Sequence, residues 1–306
     1  MIRALQLGAS LYLPATRPDL VAVGNRDKYP ALRSVIFCTE DAVAGRDLPR
    51  ALDNLEAALP RFEPAPLLRF VRPRSPAVLR RVLQMDGARR LTGFVLPKVT
   101  RHNLGEYLAV LGPDAPFDLM VTLETAEAFD PVEMAALRAL LLAAPVRGRL
   151  LTLRIGGNDL LQHLGLRRPR GRSIYSTPLG LLIDQLVGTF RPHGFNLTGP
   201  VFEFLDRPAD LAREVRKDLS RGLFGKAAVH PDQVRVIEAE YQVSGRDAAA
   251  AERILSDEAP AVFRLDDAMC EPATHRAWAE ITRERARLYG VHDRCPGGGR
   301  DDQSGA

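Results

Sequence analysis

The sequence predicts an α/β fold, a closed (β/α)8 barrel with a C-terminal helical extension. Three observations carry that prediction. Eight short apolar or β-branched runs recur along the chain, and helical patterns lie between most of them. The repeats occupy roughly 230 residues, close to the roughly 250 typical of such a barrel. Strand alternating with helix implies a parallel sheet with right-handed crossovers. An open doubly wound sheet would alternate too, but no Gly-x-Gly-x-x-Gly follows the first run and no Gly-Lys-Ser/Thr loop occurs.

In order, the predicted strands are Leu5–Leu13, Ser34–Thr39, Leu67–Val71, Gly93–Leu96, Asp118–Leu123, Leu150–Ile155, Phe195–Phe204 and Gly222–Val229. Between them, Leu48–Leu59, Ser75–Met85, Leu104–Val110, Pro131–Leu142, Pro178–Thr189 and Arg207–Leu219 place apolar residues three and four apart, the period of a helix with one buried face. Three more helices follow: Pro231–Tyr241, Arg246–Asp257 and Thr274–Tyr289. The expected organisation is a barrel domain over 1–245, a helical extension over 246–290 and a polar, Gly-rich, disordered tail over 291–306.

A chain of 306 residues that is 46% hydrophobic and 26% charged can bury a large core, which excludes disorder for most of its length. Forty-two basic against 38 acidic residues leave +4, too small an excess for a nucleic-acid binder overall. Lys28, Lys98, Lys217 and Lys226 are the only lysines. Cys38, Cys270 and Cys295 are odd in number and far apart, so neither a disulfide framework nor paired metal spacing is expected. With no apolar leader and no 18-residue apolar run, the expectation is a soluble cytoplasmic protein.

In a parallel barrel the C-terminal strand ends form the mouth where chemistry is done. The polar residues there are Glu40-Asp41, Arg72 and Arg74, Lys98, Glu124, Asn158-Asp159, Glu203 and Asp206, and Lys226 with His230. Glu124 and Asp159 end adjacent strands, so both carboxylates can reach one ion. A site with so few protein ligands suits Mg²⁺, which keeps waters and takes substrate oxygens, with Mn²⁺ the alternative. The competing reading is that each carboxylate caps the helix that follows. Arg72 offers a planar fork for a substrate carboxylate, or a salt bridge across the mouth. Lys98 and Lys226 can act on substrate or tie strand ends together, and His230 before Pro231 reads as a cap. The cations of Arg167–Arg172 can steer a polyanionic substrate, contact nucleic acid or form a solvated loop. No aromatic residues interleave them, which argues against nucleic acid. No Ser/His/Asp or Cys/His set stands out.

The strand-end motifs run in a specific order: Leu11-Tyr12-Leu13-Pro14-Ala15, Glu40-Asp41-Ala42-Val43, Val71-Arg72, Leu96-Pro97-Lys98-Val99, Leu123-Glu124-Thr125-Ala126, Gly157-Asn158-Asp159-Leu160 and Gly225–Gln233. Together they resemble the HpcH/HpaI aldolase and citrate lyase beta-subunit family, which includes malyl-CoA lyases. The resemblance implies a TIM barrel, a homo-oligomer (trimer or hexamer), and Mg²⁺-dependent making or breaking of a carbon–carbon bond beside a carbonyl. It implies Glu124 and Asp159 as metal ligands and Arg72 as the arginine on the substrate carboxylate. Glu40 and Asp41 correspond to the acidic pair lining the site, while Arg74, Lys98, Gly157 and Asn158 fall on the substrate side. In that scheme a keto oxygen is polarised and cleavage leaves an enolate, whose charge Mg²⁺ and Arg72 stabilise.

The departures bear on the substrate. Gly8-Ala9 stand where the family usually has an Arg-Ser pair that helps hold coenzyme A, which puts a thioester in question. Cys38-Thr39, Arg74 and Arg154-Ile155-Gly156 also differ from the family pattern and make the pocket more cationic. The family's C-terminal acid corresponds to Asp266, Asp267 or Glu271, without a clean register. These deviations are similar to the divergent C–C bond lyases of bacterial tellurium-resistance and stress-response clusters, which implies a phosphorylated or polycarboxylate substrate. The expected function is a Mg²⁺-dependent lyase or aldolase of a 2-oxo or 3-hydroxy carboxylate. The rival is a non-catalytic barrel that binds an anionic ligand or a partner protein.

Overall fold

The structure, a computed structural model, describes residues 2–143, 147–265 and 267–293; Asp266 and the tail from 294 onward lie outside the described residues. Two compact units divide near Ile237.

The first unit is the predicted α/β barrel. Its strands are β1 (Ala9–Pro14), β2 (Ser34–Cys38), β3 (Leu68–Arg72), β4 (Gly93–Leu96), β5 (Asp118–Leu123), β6 (Leu150–Ile155), β7 (Leu197–Thr198) and β8 (Lys226–Ala228). Pairing runs β7-β6-β5-β4-β3-β2-β1-β8, all parallel. A Gly199–Lys226 bridge closes the ring, helped by Gly199 N donating to Gly225 O at 2.9 Å and Phe224 N to Leu197 O at 3.0 Å. The helices are α1 (Ile2–Leu5), α2 (Leu20–Gly24), α3 (Leu48–Ala58), α4 (Pro76–Leu83), α5 (Leu104–Leu111), α6 (Pro131–Ala143), α7 (Gly157–His163), α8 (Leu179–Phe190), α9 (Pro208–Ser220) and α10 (Pro231–Ala239). Ser75 caps α4 by accepting from Val78 N, and Pro76 occupies the first turn, where a missing N–H costs nothing.

Alternate residues of each strand point inward. Leu7, Ile36, Phe70, Val95, Met120 and Leu151 plug the lower end of the barrel. Two residues further along β2, β3 and β5 come Cys38, Arg72 and Thr122, so the interior turns polar toward the mouth. That gradient separates the layer that stabilises the fold from the layer available for chemistry.

Several elements of this unit differ from the sequence prediction: β8 shrinks from Gly222–Val229 to Lys226–Ala228, the short α2 was not predicted, and three further differences bear on the barrel ends. Leu5 ends α1, and β1 starts only at Ala9, after Gly8 takes the left-handed turn at φ +58°. Of Phe195–Phe204 only Leu197–Thr198 is strand, because Pro200 has no N–H for a ladder. Phe202 and Phe204 are apolar because they pack edge to face, with centroids 5.6 Å apart. Asn158 and Asp159 lie in α7, a seven-residue helix too short to display a period.

The second unit holds α11 (Gly245–Leu255) and α12 (Pro272–Tyr289), as predicted within two residues, and also small strands that were not predicted. β9 (Val243–Ser244) pairs in parallel with β12 (Val291–His292), and β10 (Phe263–Leu265) forms a hairpin with β11 (Ala268–Cys270). Strands of two or three residues carry no alternation to read. Ala251, Ile254, Phe263, Cys270 and Ala279 form its core. Among the described residues no helix is long and apolar enough to cross a membrane.

Candidate active site

The strand ends open into a cavity of about 540 Å³ lined by Tyr12, Asp41, Arg72, Glu124, Arg154 and Asp159, among others. Arg72, the last residue of β3, is buried at its centre. Its Nη2 lies 2.7 Å from Glu124 Oε1, 3.0 Å from Glu40 Oε2 and 3.4 Å from Asp41 Oδ2. Burial alone would weaken its hold on the proton, but Glu124, Tyr12 and Glu40 outweigh that and strengthen it.

Glu124 follows β5 and is 2% exposed. Burial pushes its carboxyl up to about 7, with Arg72 opposing and Asp159 adding to the rise. Lys98 N donates to Glu124 Oε1 at 2.9 Å, the same oxygen that Arg72 binds, and neither donor uses Oε2. Beside Oε2 lies Gly156, where a Cβ would come within 2.3 Å of that oxygen. Glycine there lets the Glu124 carboxylate tuck under the turn into α7.

Lys98 follows β4 with a left-handed backbone, φ +50°, held by Asn103 Nδ2 donating to its carbonyl at 2.9 Å. Its Nζ bridges Glu40 Oε1 at 2.5 Å, Asp41 Oδ1 at 3.0 Å and Asp159 Oδ1 at 3.4 Å. Burial and the hydrogen bond with Asp41 push Glu40 up, against Arg72. Burial works to raise Asp41 too, but its bonds with Glu40 and Lys98 hold it below the ordinary range. Arg74 points elsewhere. Its guanidinium donates to the carbonyls of Thr39, Glu40 and Val43, and so fixes the loop that carries the acidic pair.

Glu124 and Asp159 thus face one cavity from adjacent strand ends, each touched by a cation. Among the described residues no group of three or more His, Cys, Asp or Glu side chains converges as a metal cage. Two carboxylates beside open cavity form a donor set that fits Mg²⁺, which retains several waters, better than a metal needing a full protein shell. Gly157 and Asn158 line the same wall, and a Cβ on Gly157 would meet Pro200 at 2.9 Å.

The other polar residues expected at the strand ends are spent on structure, and Lys226, expected at the mouth end of its strand, is instead the first residue of β8, at the end opposite the mouth. Lys226 is fully buried, 3.1 Å from Glu214 Oε1 and 2.8 Å from Asp218 Oδ2. Arg168 grips both Glu214 oxygens at 2.9 and 2.8 Å. Its Nε lies 3.0 Å from Glu203 without the alignment of a hydrogen bond. Arg170 pairs with Asp206 at 2.5 Å. Two of the four arginines in that segment therefore serve ion pairs. His230 sits exposed beside Asp232. Of the C-terminal acids, Asp267 and Glu271 belong to the second unit.

Tyr12, Thr122 and Gln162 line the cavity although sequence reasoning gave them no role, and Arg154, expected only as part of a more cationic pocket, lines it too. The signal was available for two of them: Thr122 and Arg154 stand two residues before Glu124 and Gly156, on the inward face of their strands.

A model of the family described as C-C_Bond_Lyase of the TIM-Barrel fold matches residues 1–291. The (3S)-malyl-CoA thioesterase of Cereibacter sphaeroides is 27% identical over 246 residues, which cover 79% of this chain and 80% of that protein. CitE of Mycobacterium tuberculosis, crystallised with magnesium, acetoacetate and coenzyme A, superposes with a TM-score of 0.70 at 23% identity, over 93% of this chain and 99% of that one. The citrate lyase beta subunit of M. tuberculosis with oxaloacetate and magnesium gives 0.59 at 23% identity, over 79% and 99%. At such identities the structural likeness speaks for the fold, whereas the family match spans nearly the whole chain. The chain therefore belongs to the C–C bond lyase family of the TIM-barrel fold.

Proposed function

We propose that this protein is a Mg²⁺-dependent lyase that makes or breaks a carbon–carbon bond next to the carbonyl of a small carboxylate. The observation that carries this reading is the meeting of Glu124, Asp159 and Arg72 in one cavity at the strand ends. Glu124 and Asp159 would hold the ion, which supplies a Lewis acid for the substrate carbonyl and for enolate charge. Arg72 binds the substrate carboxylate with the fork it now shares among acids, and stays charged while negative charge develops nearby. Lys98 and Arg74 position the Glu40–Asp41 pair, which can accept or return a proton at the mouth. The named relatives and solved neighbours, with magnesium, small oxo acids and coenzyme A in their descriptions, support this class of chemistry.

Thioester hydrolysis is the second reading, favoured by the name of the malyl-CoA thioesterase relative. Gly8-Ala9 at the start of β1 offer no side-chain cation for coenzyme A, so the lyase reading leads. Calorimetric titration of pyruvate and oxaloacetate with Mg²⁺ and with chelator, on wild type and Asp159→Ala, tests it. Binding that requires Mg²⁺ and vanishes in the variant is expected. Tight binding that ignores both metal and variant would instead favour a non-catalytic anion-binding barrel.

A further inference from the structure

Among the described residues, Arg154 is a buried cation without a carboxylate partner. It stands on β6, faces the cavity and is 3% exposed. Its contacts are the Tyr12 ring, 5.3 Å from Cζ, and Met120 Sδ, 3.5 Å from Nη1. Among the described residues no carboxylate lies within ion-pairing distance of it, whereas Arg72 in the same interior touches three. Thr122 is its register partner across β5 and β6. Thr122 is buried and lines the same cavity, and its Oγ1 has no hydrogen-bond partner among the described residues.

A guanidinium in a protein interior is retained at a cost unless an anion compensates it, and an unbonded buried hydroxyl adds to that cost. An aromatic face and a thioether do not supply a counter-charge. Both orphaned groups point into one cavity, side by side, one inward layer below Glu124. Two residues of strand separate Thr122 from Glu124, a rise of roughly 6–7 Å. A small acid whose head lies beside Glu124 and Arg72 can therefore extend one layer deeper into the same cavity.

We propose that Arg154 and Thr122 form a second anion subsite inside the barrel, which takes a carboxylate or phosphoryl group at the far end of the substrate. This rests on the lyase reading and deepens it: the substrate is a small acid with two anionic ends, one at Arg72 and the mouth, the other at Arg154. The guanidinium fork donates two parallel hydrogen bonds to that group, and the Thr122 hydroxyl donates a third. A neutral group in the same place would leave Arg154 unpaired, so the subsite selects by charge.

The test is calorimetric titration of the full chain, with Mg²⁺, using three acids that share a 2-hydroxycarboxylate head: 2-hydroxybutyrate, malate and 3-phosphoglycerate. Wild type is expected to bind malate or 3-phosphoglycerate at least tenfold more tightly than 2-hydroxybutyrate. The preferred one of the two tells carboxylate from phosphoryl. Arg154→Gln is expected to bring that ratio to within about twofold. Thr122→Val, which keeps the cation, should lower it severalfold and serves as the test if the arginine variant fails to fold. Equal affinity of wild type for all three acids, no binding of either two-ended acid at millimolar concentration, or an unchanged ratio in a folded Arg154→Gln would overturn the proposal. Repeating the series with chelator and with Asp159→Ala separates the two readings. A surviving preference for the two-ended acids without any Mg²⁺ dependence sinks the metal assignment and keeps the subsite. Mg²⁺-dependent binding without the preference does the reverse.

Discussion

Arg72 shows how the site balances its charges: one buried guanidinium satisfies parts of three carboxylates, and Lys98 satisfies the rest. Removing Glu124 still leaves Arg72 its contact with Glu40. Glu124→Ala should therefore keep the fold while abolishing Mg²⁺-dependent turnover, with circular dichroism as the control for folding. Gly156→Ala is a finer probe, because its Cβ would collide with Glu124 Oε2 and Cβ, at 2.3 and 2.4 Å, without removing any charge. We expect Mg²⁺ affinity measured by titration to fall at least tenfold; an unchanged affinity would show that the Glu124 carboxylate does not need that space. At this scale the sequence made Glu124, Asp159 and Arg72 legible, because strand ends can be counted. It showed Arg154 only as one more cation of the pocket and Thr122 not at all, since what singles them out among the described residues, a missing counter-charge and a missing hydrogen-bond partner, only packing reveals.

Among the elements, α9, β8 and the loop after α7 are held by buried charge. Lys226, Arg168, Glu214 and Asp218 are each less than 4% exposed, and Tyr175 donates to Asp218. Lys226→Met removes one cation and leaves Asp218 with the Tyr175 hydroxyl but no counter-charge, which should cost roughly 3–5 kcal/mol in urea unfolding. Burial works to raise the Glu214 carboxyl, but Lys226 and Arg168 prevail and hold it at about 2. Its folded value therefore lies below the unfolded one, about 4.3. The resulting stability is fully present above that unfolded value and is lost as pH falls toward 2. The stability difference between wild type and Glu214→Gln should accordingly shrink from pH 5 toward pH 2, read by urea denaturation at each pH; a constant difference would contradict the ion-pair origin. Sequence placed Lys226 at the mouth end of its strand and could not decide between site and strut; it opens β8 instead, and only packing shows that it pairs with Glu214 and Asp218 on the helix just before it. The Arg167–Arg172 run misleads for the same reason: counted as a patch it looks like an anion site, yet Arg168 and Arg170 are already paired.

For the whole molecule, periodicity sufficed to predict the barrel, because eight strand–helix repeats in one order leave few topologies. It failed where elements shrink below a period, at β7, at α7 and in the small strands of the second unit. Chemistry follows from the fold only through the mouth residues, since one barrel hosts many activities. The most direct measurement is proton exchange at the methyl carbon of pyruvate, followed by NMR in D₂O with the full chain. Enolate formation predicts exchange above the protein-free rate that requires Mg²⁺ and disappears in Asp159→Ala. Exchange no faster than the protein-free control with Mg²⁺ present, or equally fast in Asp159→Ala, would contradict the enolate chemistry assigned to Glu124, Asp159 and Arg72.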